Sequence, residues 1–90
     1  MIHKDSYIDS DFNRTVGNML KKAREDKGLS LEELASKIDN KVSRQTLSTY
    51  ENGRSKIKLS IFLEICKALN LNPEEFFDDI NLKYYKNAKL

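Results

Sequence analysis

One stretch of the sequence, SRQTLSTYENG at residues 43 to 53, places polar side chains at helical spacing. At about 100° per residue, Leu47 and Tyr50 fall on one side of a helix and the polar residues fall on the other. Arginine, glutamine and threonine hydrogen-bond the edges of base pairs in the major groove. The polar face therefore indicates base reading, whereas a solvated surface face is the ordinary alternative. The face consists of Arg44, Gln45, Ser48, Thr49 and Asn52, with Thr46 at its border.

The rest of the sequence offers little for catalysis or metal binding. His3 is the sole histidine and Cys66 the sole cysteine, so a catalytic triad, a metal cluster and an internal disulfide all lack residues. Adjacent carboxylates such as Glu32 and Glu33 diverge on a helix, and no glycine-rich phosphate loop occurs. We therefore expect a protein that is not an enzyme and that binds no metal and no cofactor.

Composition and charge narrow the class of protein. The chain has 90 residues, 33% of them charged and 39% hydrophobic, with one proline, which is typical of a single helical domain. No apolar run approaches the roughly 20 residues that span a bilayer, and residues 1 to 12 lack a signal-peptide pattern. We therefore expect a cytoplasmic protein with no membrane contact. Residues 44 to 58 carry four basic side chains against one acidic, which favours a nucleic-acid partner.

Apolar periodicity and capping residues predict the elements that position this face. Ser30 with Glu33 forms a capping box, Ser43 is an N-cap, and Gly28 and Gly53 suit the positive φ that ends a helix. We predict five helices. The first helix runs from about residue 12 to 27, the second from after Ser30 to about Ile38, and the third from about 44 to 52. The fourth contains the apolar stripe Leu59, Phe62, Leu63, Cys66 and Leu69, and the fifth begins at Pro73.

Five short helices with short connections predict a compact all-α domain. We assign this domain to residues 12 to 79 and a loose polar arm to residues 1 to 11. Residues 80 to 90 form a tail of mixed apolar and basic character. The tail either extends the fifth helix, pairs as a strand or contacts a partner.

Three segments together resemble the Cro/CI-type (XRE, lambda-repressor-like) helix-turn-helix family over about residues 12 to 78. They are VGNMLKKAREDKGLSLEELASKI, VSRQTLSTYENGRSKI and LSIFLEICKALNLNPEEFF. The resemblance implies a five-helix lambda-repressor-like fold whose second and third helices form the helix-turn-helix. It also implies a sequence-specific DNA-binding transcriptional regulator, with helix 3 in the major groove.

From the resemblance we expect a repressor of bacterial or phage origin that is nucleoid-associated. Because a lone motif makes few base contacts, we expect this repressor to bind an inverted repeat as a homodimer. The dimer contacts would come from the fifth helix and the tail. A protein-interaction module, such as an antitoxin or an antagonist of a regulator, is the alternative. A regulatory protein partner is therefore a second expectation beside double-stranded DNA.

The resemblance also implies roles for single residues. Base reading falls to Arg44, Gln45 and Thr49, with Thr46 and Ser48 as lesser candidates. Phosphate binding falls to Ser30, Ser43, Asn52, Gly53, Arg54 and Lys56. Arg24 and Glu51 occupy positions where family members often hold a partly buried ion pair, which would orient the third helix.

Two departures from the family pattern affect how this helix is presented. The linker Asp39-Asn40-Lys41 is about two residues longer than the usual turn and lacks its glycine, so we expect Asp39 or Asn40 to adopt the left-handed conformation. Before the fourth helix, Ile57-Lys58 stands where the family often has Pro-Ser. This difference predicts a weaker N-cap and more positive charge.

Overall fold

The computed structural model describes residues 4 to 85, and the side chains of residues 11 to 84. His3 and the last five residues of the predicted tail lie outside this part. Five α-helices occur in chain order and no strand is present among the described residues, which confirms the predicted fold class. The helices are α1 (Lys4–Asp26), α2 (Leu31–Lys37), α3 (Arg44–Glu51), α4 (Leu59–Ala68) and α5 (Pro73–Ile80).

The first helix is longer than the sequence pattern indicates. α1 begins at Lys4, so residues 4 to 11, which we predict as a loose arm, are helical. This segment lacks an apolar period, but it also lacks glycine and proline. The turns after residue 12 pack on the core and supply the nucleus from which the helix extends, and nothing upstream stops it.

Local capping bonds set the ends of the other helices where the sequence predicts them. The Ser30 hydroxyl accepts from the backbone N–H of Glu33 at 3.0 Å, and the Glu33 carboxylate accepts from the N–H of Ser30 at 2.8 Å. The Ser43 hydroxyl accepts from the N–H of Thr46 at 3.1 Å. Gly28 and Gly53 both take positive φ, at 71° and 72°. At α4, by contrast, Lys58 makes no side-chain capping bond, as predicted.

The apolar stripe predicted for the fourth helix is partly wrong. Leu59 and Leu63 are 64% and 44% exposed, whereas Ile61 and Ile65 are buried. Apolar residues cover more than half of this helix, so periodicity alone does not select the buried half. Contact with the other helices makes that choice. The core consists of Val16, Leu20, Leu34, Ala35, Ile38, Leu47, Tyr50, Ile61, Phe62, Ile65, Cys66, Leu69, Phe76 and Ile80.

The lone cysteine is a core residue, as its apolar surroundings in the sequence predict. Cys66 is fully buried, and burial raises the pKa of its thiol. A thiol that stays protonated is a poor nucleophile and a poor metal ligand.

The long linker between α2 and α3 is held in one conformation by local and tertiary bonds. Asp39 and Asn40 both adopt the left-handed conformation, with φ of 56° and 54°. The N–H of Asn40 donates to the carbonyl of Ala35 at 2.8 Å. The Lys41 ammonium contacts the Glu64 carboxylate of α4 at 2.6 Å, which raises the pKa of Lys41 and lowers that of Glu64. The linker is therefore anchored to α4.

The tail continues the fifth helix, which is one of the three alternatives that the sequence leaves open. A π-helical turn, Asn81–Tyr85, follows α5 directly. The ring of Tyr84 meets that of Phe12 edge to face, with centroids 5.4 Å apart. This contact places the tail against α1. Across the described residues, no helix has both the length and the apolar character needed to cross a bilayer.

Candidate nucleic-acid interface

The helix α3 is held by two neighbouring helices so that its polar face points outward. The helix packs against α1 and α2. Leu47 and Tyr50 are buried, as their spacing predicts. On the opposite side, Arg44 and Gln45 are exposed, and the border residue Thr46 is half-buried. The structure therefore brings the predicted base-reading residues together on one accessible surface, where Ser48 and Thr49 are also half-buried.

The polar groups on this surface differ in how free they are to bind a ligand. The Thr49 hydroxyl donates to the carbonyl of Gln45 at 3.0 Å, so its proton already has a partner. The Arg44 Nε lies 3.8 Å from a carboxylate oxygen of Glu32, and both side chains are exposed. Within the described residues, the amide of Gln45 has no hydrogen-bond partner. Gln45 therefore presents a free amide, whereas the guanidinium of Arg44 lies within ion-pair distance of Glu32.

A buried ion pair fixes the end of α3 to α1. The Arg24 Nε donates to Glu51 Oε2 at 2.7 Å and its Nη2 to Oε1 at 3.0 Å, which makes a bidentate pair. The residues are only 8% and 5% exposed. Arg24 Nη1 also donates to the carbonyl of Leu29 at 2.6 Å. The hydrogen bond to Glu51 raises the pKa of Arg24, so the guanidinium stays charged.

A glycine that the sequence patterns do not single out lets α1 and α3 approach each other closely. A Cβ added at Gly17 would lie 2.3 Å from the carbonyl oxygen of Tyr50 and 2.5 Å from that of Glu51. No side chain fits in this space. The available sequence signal is the presence of a glycine inside an otherwise regular amphipathic helix, which often marks close backbone packing.

The turn after α3 uses its backbone donors internally. The N–H groups of Asn52, Gly53 and Arg54 donate to carbonyls of α3 at 2.9, 3.0 and 3.1 Å. Gly53, to which the resemblance assigns phosphate binding, therefore supplies the turn and not a free donor. The side chains of Asn52, Arg54 and Lys56 are exposed beside it. Phosphate binding at this turn would come from these side chains.

The start of α2 is a less favourable place for an anion than the resemblance implies. The N–H of Ser30 is bonded to the Glu33 carboxylate, and this bond lowers the pKa of Glu33. Glu32 and Glu33 therefore place negative charge in the first turn. Ser30 retains its hydroxyl proton as a donor. Ser43, at the start of α3, shares a hydrogen bond with the Thr46 hydroxyl at 3.1 Å.

Comparison with known proteins gives matches of sequence and of structure. A model of a helix-turn-helix family matches residues 20 to 76. Among curated proteins there is no significant match. Two solved structures of the clp gene regulator ClgR from Corynebacterium glutamicum are similar to this chain. One is 28% identical, with 80% of this chain and 91% of that chain covered and a TM-score of 0.71. The other is 27% identical, with 86% and 80% covered and a TM-score of 0.74.

Proposed function

Because the chain belongs to the Cro/CI-type helix-turn-helix family of DNA-binding transcription regulators, we propose that it is a repressor that binds an inverted repeat as a homodimer. In this proposal α3 enters the major groove, as the second helix of such motifs does. It acts in the cytoplasm on bacterial or phage DNA. The observation that supports it best is the exposed face of α3, where the free amide of Gln45 lies beside Arg44 and Thr49.

The charge distribution supports the same proposal. Arg54, Lys56 and Lys58 are all exposed in the segment that follows α3. Basic side chains beside a base-reading helix neutralise phosphates along the groove, which supplies affinity without sequence preference. Arg44, Gln45 and Thr49 on α3 then supply the preference, with each good base contact contributing about 1 to 3 kcal/mol.

Exposed apolar side chains provide a surface for the proposed dimer. Phe77 of α5 and Leu82 of the following turn are both about half exposed. Phe77 and Leu59 line one apolar groove of about 150 Å³. Ile80, which begins the segment that we expect to form the dimer, is instead buried in the core. The proposed dimer contacts are therefore Phe77 and Leu82.

Substituting one base-reading residue and one phosphate-binding residue tests the DNA-binding proposal. We expect Gln45→Ala to relax the base preference at one position of a DNA site selected from a random pool, at a cost of about 1 to 3 kcal/mol for that site. Arg54→Ala should weaken selected and random DNA equally and reduce the salt slope by about one. Titrations with both DNAs at several salt concentrations measure the two effects. Equal losses on both DNAs for Gln45→Ala would contradict the base-reading role.

Removing apolar side chains tests the proposed dimer surface. Leu82→Ser and Phe77→Ser should shift the protein toward monomer in sedimentation equilibrium and weaken binding to a two-half-site operator more than to a single half-site. Asp78→Ser, an exposed change on the same helix, is the matched control and should leave the association constant unchanged. If two wild-type chains bind the two half-sites independently, with no gain in affinity from the second half-site, the dimer is refuted.

The same apolar residues also favour the second candidate function, a protein-interaction module. Such a module would form a stable heteromeric complex through Phe77 and Leu82 and would select no DNA sequence. Selection from a random pool therefore separates the two candidates, because only the repressor enriches a common DNA site.

A further inference from the structure

Arg14 lies against the turn that follows α3, although it belongs to α1. A Cβ added at Gly53 would lie 2.5 Å from the Cα of Arg14 and 2.8 Å from its backbone nitrogen. The two backbones are therefore in direct contact, with no side chain between them. Asn52 and Arg54, the proposed phosphate-binding side chains, are the chain neighbours of Gly53.

The guanidinium of Arg14 is available to a ligand. Its side chain is 63% exposed, and its Nη1 lies 3.7 Å from a carboxylate oxygen of the equally exposed Asp11. An ion pair between exposed groups one helical turn apart contributes little free energy, so Arg14 can exchange this carboxylate for another anion. A DNA phosphate suits the exchange, because its oxygens match the fork of guanidinium N–H groups.

We propose that Arg14 binds a DNA phosphate next to the one bound by the turn at Asn52 and Arg54, and that Asp11 competes with this phosphate. The contact rests on the proposed DNA-binding function and extends it to α1. The phosphate-binding surface then comprises groups from α1 and from the turn after α3, which are distant in the sequence. Asp11 lowers the affinity for DNA both by occupying Arg14 and by its own negative charge.

Three variants and a matched control test this contact. At low salt, Arg14→Gln should weaken binding about fivefold on selected and random DNA alike, and should reduce the salt slope by about one. Asp11→Asn should tighten binding, and most of that gain should disappear in the double variant Arg14→Gln/Asp11→Asn. Lys22 and Asp26 form a comparable exposed pair elsewhere on α1, with Nζ and Oδ2 4.0 Å apart. Lys22→Gln should therefore change the affinity less than Arg14→Gln does.

The outcomes separate this inference from the proposed function. If Arg54→Ala weakens binding while Arg14→Gln does not, the Arg14 contact is refuted and the proposed function stands. If Lys22→Gln weakens binding as much as Arg14→Gln, the effect is one of net charge, and the contact is refuted. If Asp11→Asn tightens binding equally with and without Arg14, the competition is refuted. A wild-type chain that binds no DNA would overturn both proposals.

Thermal unfolding of each variant, expected to match the wild type, excludes loss of structure as the cause.

Discussion

Replacing Arg24 by methionine should lower the free energy of unfolding by about 3 to 5 kcal/mol, because Glu51 would remain buried with no cation. The variant also removes the hydrogen bond that Arg24 Nη1 donates to the carbonyl of Leu29. Natural domains are stable by about 5 to 15 kcal/mol, so a loss of this size removes a large fraction of the total stability. Urea denaturation followed by circular dichroism measures the loss.

Two further variants show whether the loss comes from the buried charge. Arg14→Met makes the same chemical change at an exposed site on the same helix and should stay within about 0.5 kcal/mol of the wild type. The double variant Arg24→Met/Glu51→Leu removes both charges and should recover most of the stability. A double variant as unstable as Arg24→Met alone would show that the unpaired carboxylate is not the cause.

The double variant also separates stability from orientation. If the ion pair orients α3, a stable double variant should still discriminate less well between the selected DNA site and random DNA. Unchanged discrimination would mean that the packing of Leu47 and Tyr50 suffices to position the helix. Competition binding with the two DNAs decides between these results.

Gly17→Ala should destabilise the protein by about 2 to 3 kcal/mol, as overpacked sites do. An alanine in the interior of an isolated helix would instead add about 1 kcal/mol of stability over glycine, so the sign of the effect is diagnostic. The opposing atoms are backbone carbonyl oxygens of Tyr50 and Glu51, which no side-chain rotation can move away. The helices must therefore separate, and the core contacts of α3 weaken. Chemical denaturation gives the free-energy change.

Two controls distinguish close packing from general effects of the substitution. Asn18→Ala changes an exposed neighbour on α1 and should stay within about 0.5 kcal/mol of the wild type. Gly28→Ala imposes a positive φ of 71° on alanine in a place with no atom within 4 Å, so it should cost only the backbone strain of about 1 to 2 kcal/mol. A Gly17→Ala variant at least as stable as the wild type would show that α1 and α3 are not in close contact there.

Most helix boundaries could be predicted from the sequence because the signals are local. The capping box of Ser30 and Glu33 joins residues three apart, so their identities suffice to predict the start of α2. The left-handed turn at Asp39 and Asn40 follows similarly from what these residue types tolerate. The start of α1 could not be predicted this way, because residues 4 to 11 contain neither an apolar period nor a stop signal.

The candidate site likewise combines features that follow from the local sequence with features that depend on tertiary contacts. By itself the sequence determined the polar face of α3, since helical spacing places Gln45 and Thr49 opposite Leu47 and Tyr50. Only the tertiary structure decided which half of α4 is buried, that Gly17 has no room for a side chain, and that Arg14 lies beside Gly53. These features depend on contacts between residues far apart in the chain. Such contacts follow from how the helices pack together, which no local pattern of residues encodes.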